Sequence, residues 1–114
     1  MASILLVVPD SDLKASLGFL LRSEGHTISF RPNLFEGPTP MDFDCTVLDM
    51  EGAGANIVQA KTFCRVFFPV ILLADAEDDP LSTYAFRTLV KPLLGSTVSE
   101  AVRQALESRH LNVV

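Results

Sequence analysis

Basic residues, cysteines and long hydrophobic runs are all scarce in this sequence. Nine Lys and Arg residues against fourteen Asp and Glu residues give a net charge of −5 over 114 residues. Such a balance disfavours direct binding to nucleic acid or to an anionic membrane. No apolar run reaches the roughly 18 residues that a membrane-spanning helix needs. The two cysteines, Cys45 and Cys64, lie inside apolar runs, which favours buried thiols in a cytoplasmic protein over a disulfide.

The common signatures of catalysis are also missing. The sequence has no glycine-rich phosphate loop and no readable Ser-His-Asp or Cys-His arrangement. His26 and His110 have no third metal-type residue at a useful spacing, so we expect them to lie on the surface. We therefore expect a protein that is not an enzyme. Its length and its 48% content of hydrophobic residues predict a single domain over residues 1–114.

Five short segments are typical of β-strands. Three of them are continuous apolar runs, Ser3–Val8, Cys45–Leu48 and Pro69–Ala74, which suit strands buried on both faces of a parallel sheet. His26–Phe30 alternates polar and apolar residues, which predicts a strand nearer an edge. Phe86–Val90 is predicted to be the last strand.

Three segments carry helix signals. Leucines at helical spacing follow the candidate capping residue Asp10 and end at Gly25. Ala55–Val66 is predicted to be a second helix. The final helix has the clearest signal, because Thr97 and Glu100 match the capping-box pattern and an apolar stripe follows them.

Two connections are predicted to lack full-length helices. Arg31–Asp42 contains three prolines and a glycine, which interrupt regular helix. Asp75–Ala85 holds an acidic stretch followed by Pro80 and leaves room for one or two helical turns at most.

Alternating strands and helices predict a flavodoxin-like α/β fold. We expect a three-layer (βα)5 sandwich whose five parallel strands have the order 2-1-3-4-5, with the second and fourth helices shortened or absent. Function in such folds is located at the carboxyl ends of the strands. Those ends carry Val8-Pro9-Asp10, Asp49-Met50, Ala74-Asp75 and Lys91-Pro92.

These segments resemble the receiver domains of bacterial two-component response regulators over nearly the whole chain. The likeness rests on four stretches: Ile4–Val7 with the following Asp10–Gly25 helix, Asp44–Asp49, Pro69–Ala74 and Leu89–Leu93. The lysine–proline pair of the last stretch is the most specific match. The resemblance implies that Asp49 occupies the phosphoacceptor position and that Lys91 and Pro92 are the lysine and proline of the family signature.

Four positions depart from the receiver pattern. Receivers carry two adjacent acids that hold a divalent cation, and this sequence has Val8 and Pro9 there. Ala74 replaces the hydroxyl residue that meets the phosphoryl group, and Thr88 stands at the aromatic switch position. Since a cation needs oxygen ligands, the resemblance implies an atypical receiver that has lost its Mg²⁺ site. No cofactor is therefore expected.

The residues at the carboxyl ends of the predicted strands allow more than one interpretation. Asp49 is either a structural partner of Lys91 or a working phosphoacceptor. Asp10 is expected to cap a helix and Asp75 to lie in a solvated loop. The competing interpretation makes Asp10 and Asp75 weak candidates for a compensating cation site beside Asp49.

Three functions follow from these alternatives. The favoured hypothesis is a receiver-like domain that acts in bacterial signal transduction as a phosphorylation-independent protein-interaction module. The second is a phosphoacceptor receiver that a histidine kinase phosphorylates on Asp49. The third is a flavodoxin-like domain that binds a small molecule in an apolar pocket left by the metal. The expected partners are proteins, a histidine kinase or an output domain, with a homodimer as a further option and with neither nucleic acid nor membrane.

Overall fold

Five strands form one parallel sheet in a computed structural model that describes residues 2–34, 43–54 and 56–111. The strand order is β2-β1-β3-β4-β5 and every neighbouring pair is parallel. The predicted flavodoxin-like order is therefore confirmed. The strands are β1 (Ser3–Val7), β2 (Thr27–Phe30), β3 (Cys45–Asp49), β4 (Val70–Ala74) and β5 (Arg87–Val90).

The three central strands are buried on both faces. All five residues of β3 and of β4 are buried, and only the first residue of β1 has partial access to solvent. Because both faces must be apolar, these strands appear in the sequence as continuous runs rather than alternating patterns. β2 and β5 are shorter and partly exposed, as expected of edge strands.

Three helices cover the two faces of the sheet: α1 (Ser11–Ser23), α2 (Ile57–Val66) and α3 (Gly95–Leu111). Helices α1 and α3 pack on one face, and α2 packs on the other. The α1/α3 core includes Ile4, Leu6, Val8, Leu17, Leu21, Val47, Ile71, Leu73, Val98 and Val102. The α2 core includes Leu5, Val7, Leu48, Phe63, Cys64, Phe67, Val70, Leu72 and Ala74.

Side-chain caps define the starts of α1 and α2. The Asp10 side chain accepts a hydrogen bond from the Asp12 N–H at 3.0 Å. Asn56 accepts one from the Gln59 N–H at 3.1 Å, so α2 begins two residues after the predicted start at Ala55. Gly25 follows α1 with φ of 93°, a conformation that favours glycine.

The predicted capping box of the last helix is wrong. α3 begins at Gly95, so Thr97 and Glu100 both lie inside the helix. The carboxylate of Glu100 instead pairs with Arg103, one turn further along.

The prediction for the loop between β4 and β5 is confirmed. Within Asp75–Ala85 the regular structure is limited to a single 3₁₀ turn over Ser82–Tyr84. In the other connection, residues 31–34 are not helical, and the part over 35–42 lies outside the described residues.

Two further expectations concern the two cysteines and membrane-spanning helices. Cys45 and Cys64 are both buried thiols, as predicted, and burial together with the charge of Asp79 raises the pKa of the Cys64 thiol to about 11. Among the residues that the structure describes, no helix is both long and apolar enough to cross a bilayer.

The burial pattern predicts which leucines the fold depends on. Leu72→Ala removes a fully buried side chain from β4 and is expected to lower the free energy of unfolding by about 2–5 kcal/mol. Leu94→Ala is the matched control, because Leu94 is largely exposed, and it is expected to change stability by less than about 0.5 kcal/mol. Urea denaturation followed by circular dichroism measures both, and equal losses would contradict this arrangement of the sheet.

Candidate functional site

The strand register brings the predicted site residues together at one edge of the sheet. Val7 pairs with Leu48, so the next pair in that register is Val8 and Asp49. On the other side of β3, Asp49 pairs with Leu73 of β4. The N–H of Lys91 donates to the Ala74 carbonyl at 2.9 Å, which fixes the residue after β5 to the end of β4.

An ion pair between Asp49 and Lys91 is the main polar contact of this edge. The Lys91 Nζ lies 3.1 Å from Oδ1 of Asp49 and 3.0 Å from Oδ2. The side chain of Asp49 is only 1% exposed, whereas that of Lys91 is 26% exposed. Lysine therefore reaches from the solvent side to neutralise a carboxylate that has almost no access to water.

The two carboxylate oxygens of Asp49 have different surroundings. Oδ1 accepts hydrogen bonds from Lys91 and from the Glu51 N–H, which lies 3.0 Å away. Oδ2 is buried and close to the ammonium group but accepts no directed hydrogen bond. The Oδ2 atom of Asp49 is therefore stabilised by the positive charge of Lys91 without a hydrogen bond of its own.

Burial and charge act on Lys91 in opposite directions. Burial by itself would lower the pKa of the Lys91 ammonium, because it disfavours the charged form. The hydrogen bond and the charge of Asp49, together with the charges of Glu51 and Asp75, outweigh burial, and the pKa is raised. Lys91 consequently remains a cation throughout the neutral pH range.

A short turn covers the edge next to the ion pair. Asp49 caps the 3₁₀ turn Met50–Ala53 through its bond to the Glu51 N–H. Gly52 packs so closely on the end of β1 that an added Cβ would lie 3.2 Å from the Val7 carbonyl oxygen and 3.4 Å from Cδ of Pro9. The lack of a side chain at Gly52 therefore lets the turn pack on β1.

Of the four positions that depart from the receiver pattern, only Thr88 has a side-chain oxygen. Val8 is buried in the α1/α3 core and Ala74 in the α2 core. Pro9 is exposed beside Gly52. Thr88 is half-buried on β5, where it pairs with Leu72. Pro92, which follows Lys91, is exposed.

The acidic residues of the neighbouring loops do not complete a metal site. Asp10 is exposed and uses its Oδ1 atom to cap α1, and Asp75 is exposed at the end of β4. Within the described ranges 2–34, 43–54 and 56–111, no three His, Cys, Asp or Glu residues are grouped so that they could hold a metal ion. The receiver resemblance implies two adjacent acids as cation ligands, and the residues at those two positions do not fit this role, because Val8 and Pro9 have no side-chain oxygen.

Because Asp49 is much more buried than Lys91, we expect the two partners of the ion pair to differ in how much their removal lowers the free energy of unfolding. Lys91→Met leaves the buried Asp49 carboxylate uncompensated and is expected to cost about 3–5 kcal/mol at neutral pH. Asp49→Asn is expected to cost less, because Lys91 can turn its ammonium towards water. Urea denaturation measures each loss.

The double variant Lys91→Met/Asp49→Asn provides the control, because it removes both charges and should recover most of the loss of Lys91→Met. In the wild type, the raised pKa of Lys91 means that this stabilisation is complete below the ordinary lysine pKa. It is lost as the pH rises through the raised value. A double variant as unstable as Lys91→Met would contradict this account.

Comparison with known proteins gives structural matches only. No family model and no curated relative matches the sequence. A response regulator receiver domain protein from Clostridium thermocellum is 22% identical with a TM-score of 0.80, over 97% of this chain and 98% of that one. The receiver domain of the sensor histidine kinase PA1611 from Pseudomonas aeruginosa, solved with magnesium in its active-site cleft, is 15% identical. Its TM-score is 0.73, over 93% of this chain and 98% of that one.

A third match lies within a longer protein. NtrX from Brucella abortus, solved in complex with ADP, is 16% identical with a TM-score of 0.79. The match covers 97% of this chain and only 28% of NtrX. Together with the strand order and the position of Asp49 and Lys91, these similarities show that the chain has the fold of response regulator receiver domains.

Proposed function

We propose that this chain is a receiver-like signalling domain that acts through protein contacts and does not depend on phosphorylation of Asp49. One observation carries the proposal. The edge of the sheet keeps the buried Asp49–Lys91 pair but has aliphatic side chains at Val8, Pro9 and Ala74, where a receiver needs oxygen ligands and a hydroxyl.

The chemistry of phosphoryl transfer supports this assignment. Transfer to a carboxylate brings two negatively charged groups together, and its catalysis consists almost entirely of positioning and charge neutralisation. Lys91 already neutralises Asp49 itself, and Glu51 adds a further negative charge close to the ammonium. The incoming phosphoryl group would therefore find too little positive charge to lower the barrier.

The proposed partners are proteins of a signalling pathway, either a histidine kinase or an output domain. The fold match to a receiver domain of a sensor histidine kinase and the match inside the longer NtrX chain support this class of partner. Phosphoacceptor function remains the competing proposal, because Asp49 and Lys91 are both present. A small-molecule site formed by Val8 and Ala74 has little support, since both side chains are buried in the two cores.

Treatment with acetyl phosphate and Mg²⁺ tests the proposal. The wild-type mass is expected to stay unchanged. A variant with Val8→Asp, Pro9→Asp and Ala74→Thr restores the missing groups and is expected to gain one phosphoryl group at least about 10²-fold faster. Intact-mass spectrometry measures both, and circular dichroism shows whether the triple variant is folded.

Asp49→Ala in each background is the control for the site of modification. A phosphoryl gain in the wild type that disappears in Asp49→Ala would overturn the proposal and support the phosphoacceptor function. This result does not depend on the folding of the triple variant.

Metal binding gives a separate measurement. Titration calorimetry with millimolar Mg²⁺ is expected to show no binding to the wild-type chain, because Val8 and Pro9 provide no side-chain oxygen. A binding isotherm that is lost in Asp10→Ala or Asp75→Ala would instead establish a compensating acidic site at this edge.

A further inference from the structure

One face of helix α1 is turned away from the sheet and carries an exposed aromatic ring. The helix buries Leu17, Gly18 and Leu21. Phe19 points the other way and is 78% exposed, more than any other large hydrophobic side chain of the described residues. Ala15 lies one turn before Phe19 on the same face and is also exposed. A single exposed aromatic residue is ordinary on a protein surface, so Phe19 alone does not identify an interaction site.

Two charges of opposite sign lie at the two ends of this face. Asp12 is in the first turn of α1 and Arg22 is in the last turn, and both residues are exposed. Within residues 2–34, 43–54 and 56–111, neither of them takes part in an ion pair. Arg22 places its guanidinium 5.4 Å from the centroid of the Phe30 ring, a contact that involves no carboxylate. Both charges are therefore available to a partner.

These features make the face complementary to itself in an antiparallel arrangement. Asp12 and Arg22 lie on either side of Leu17 at equal distances of about 7.5 Å along the helix axis. A twofold axis at the level of Leu17 therefore places Asp12 of each copy level with Arg22 of the other copy. The same axis places Phe19 level with Ala15 of the other copy, so that a large side chain meets a small one.

We propose that the exposed face of α1 is a self-association surface on which two copies of this chain pair in antiparallel orientation. The two Phe19 rings are covered between the helices, and Asp12 of each copy pairs with Arg22 of the other. One helix from each copy forms a small interface, so we expect a weak, reversible dimer with a dissociation constant of roughly 10–500 µM. The proposal adds a second copy of the chain to the partners of the proposed function and does not depend on phosphorylation of Asp49.

Exchanging the two charges tests the pairing. Sedimentation velocity from about 10 µM to about 1 mM protein, a range that spans the expected dissociation constant, should show the wild type passing from monomer to dimer. Asp12→Arg places a positive charge opposite Arg22, and Arg22→Asp places a negative charge opposite Asp12. Each variant alone is expected to associate about tenfold more weakly or worse. An equimolar mixture of the two variants is expected to recover the dimer, because opposite charges face each other again in the mixed pair.

The mixture separates pairing from effects on each helix. Either exchange also places a charge unfavourably in the dipole of α1, but mixing restores a dimer only if the charges of the two chains face each other. Circular dichroism shows whether each variant is folded. Phe19→Ala removes the ring without changing a charge and is expected to weaken association about tenfold or more. Val58→Ala is the matched control, because Val58 is 68% exposed on α2 at the other face of the sheet, and it should leave association unchanged.

Several outcomes would overturn the self-association proposal. A wild type that remains monomeric at the highest concentration would leave the face of α1 to a different protein. Association that Phe19→Ala leaves unchanged, or that Val58→Ala abolishes, would place the contact elsewhere on the chain. Folded charge variants whose mixture stays monomeric would contradict the pairing of Asp12 with Arg22. Because these measurements use no phosphodonor and no Mg²⁺, the dimer and the proposed function of the Asp49 edge can fail separately.

Discussion

One end of this molecule depends on a single constraint, which is that the carboxylate of Asp49 has almost no access to water. An isolated charge in that position would cost several kcal/mol, so the surrounding chain must supply compensation. Lys91 provides the opposite charge and Glu51 provides an N–H. Because Asp49 ends β3 and Lys91 follows β5, the ion pair passes over β4 and joins two strands that are not neighbours in the sheet.

The same carboxylate determines the course of the chain after β3. Its bond to the Glu51 N–H starts the turn, and the turn presses Gly52 against the end of β1. Pro9 also lies against this glycine, so the turn packs closely on the end of β1 and covers this side of the edge.

The sequence predicted the sheet well because each buried strand appears as a short apolar run that ends at a charged residue or a proline. It predicted the meeting of Asp49 and Lys91 for the same reason, since parallel strands place their carboxyl ends together. It failed at the start of α3, where Thr97 and Glu100 form a good local capping pattern. The helix begins instead at Gly95, which lies next to the Leu20 side chain of α1, and a local capping pattern carries no information about a contact between positions so far apart in sequence. The close approach of Gly52 to β1 was missed for a related reason: more than forty positions separate the two, and local patterns carry no information about it.

The proposed function assigns the Asp49–Lys91 pair a structural role rather than a switching role. A switch requires an element with two arrangements that a signal can bias. In the proposed function this edge is not such an element, because Val8 and Pro9 provide no side-chain oxygen for a cation and the Asp49–Lys91 pair links the ends of β3 and β5 as a structural contact.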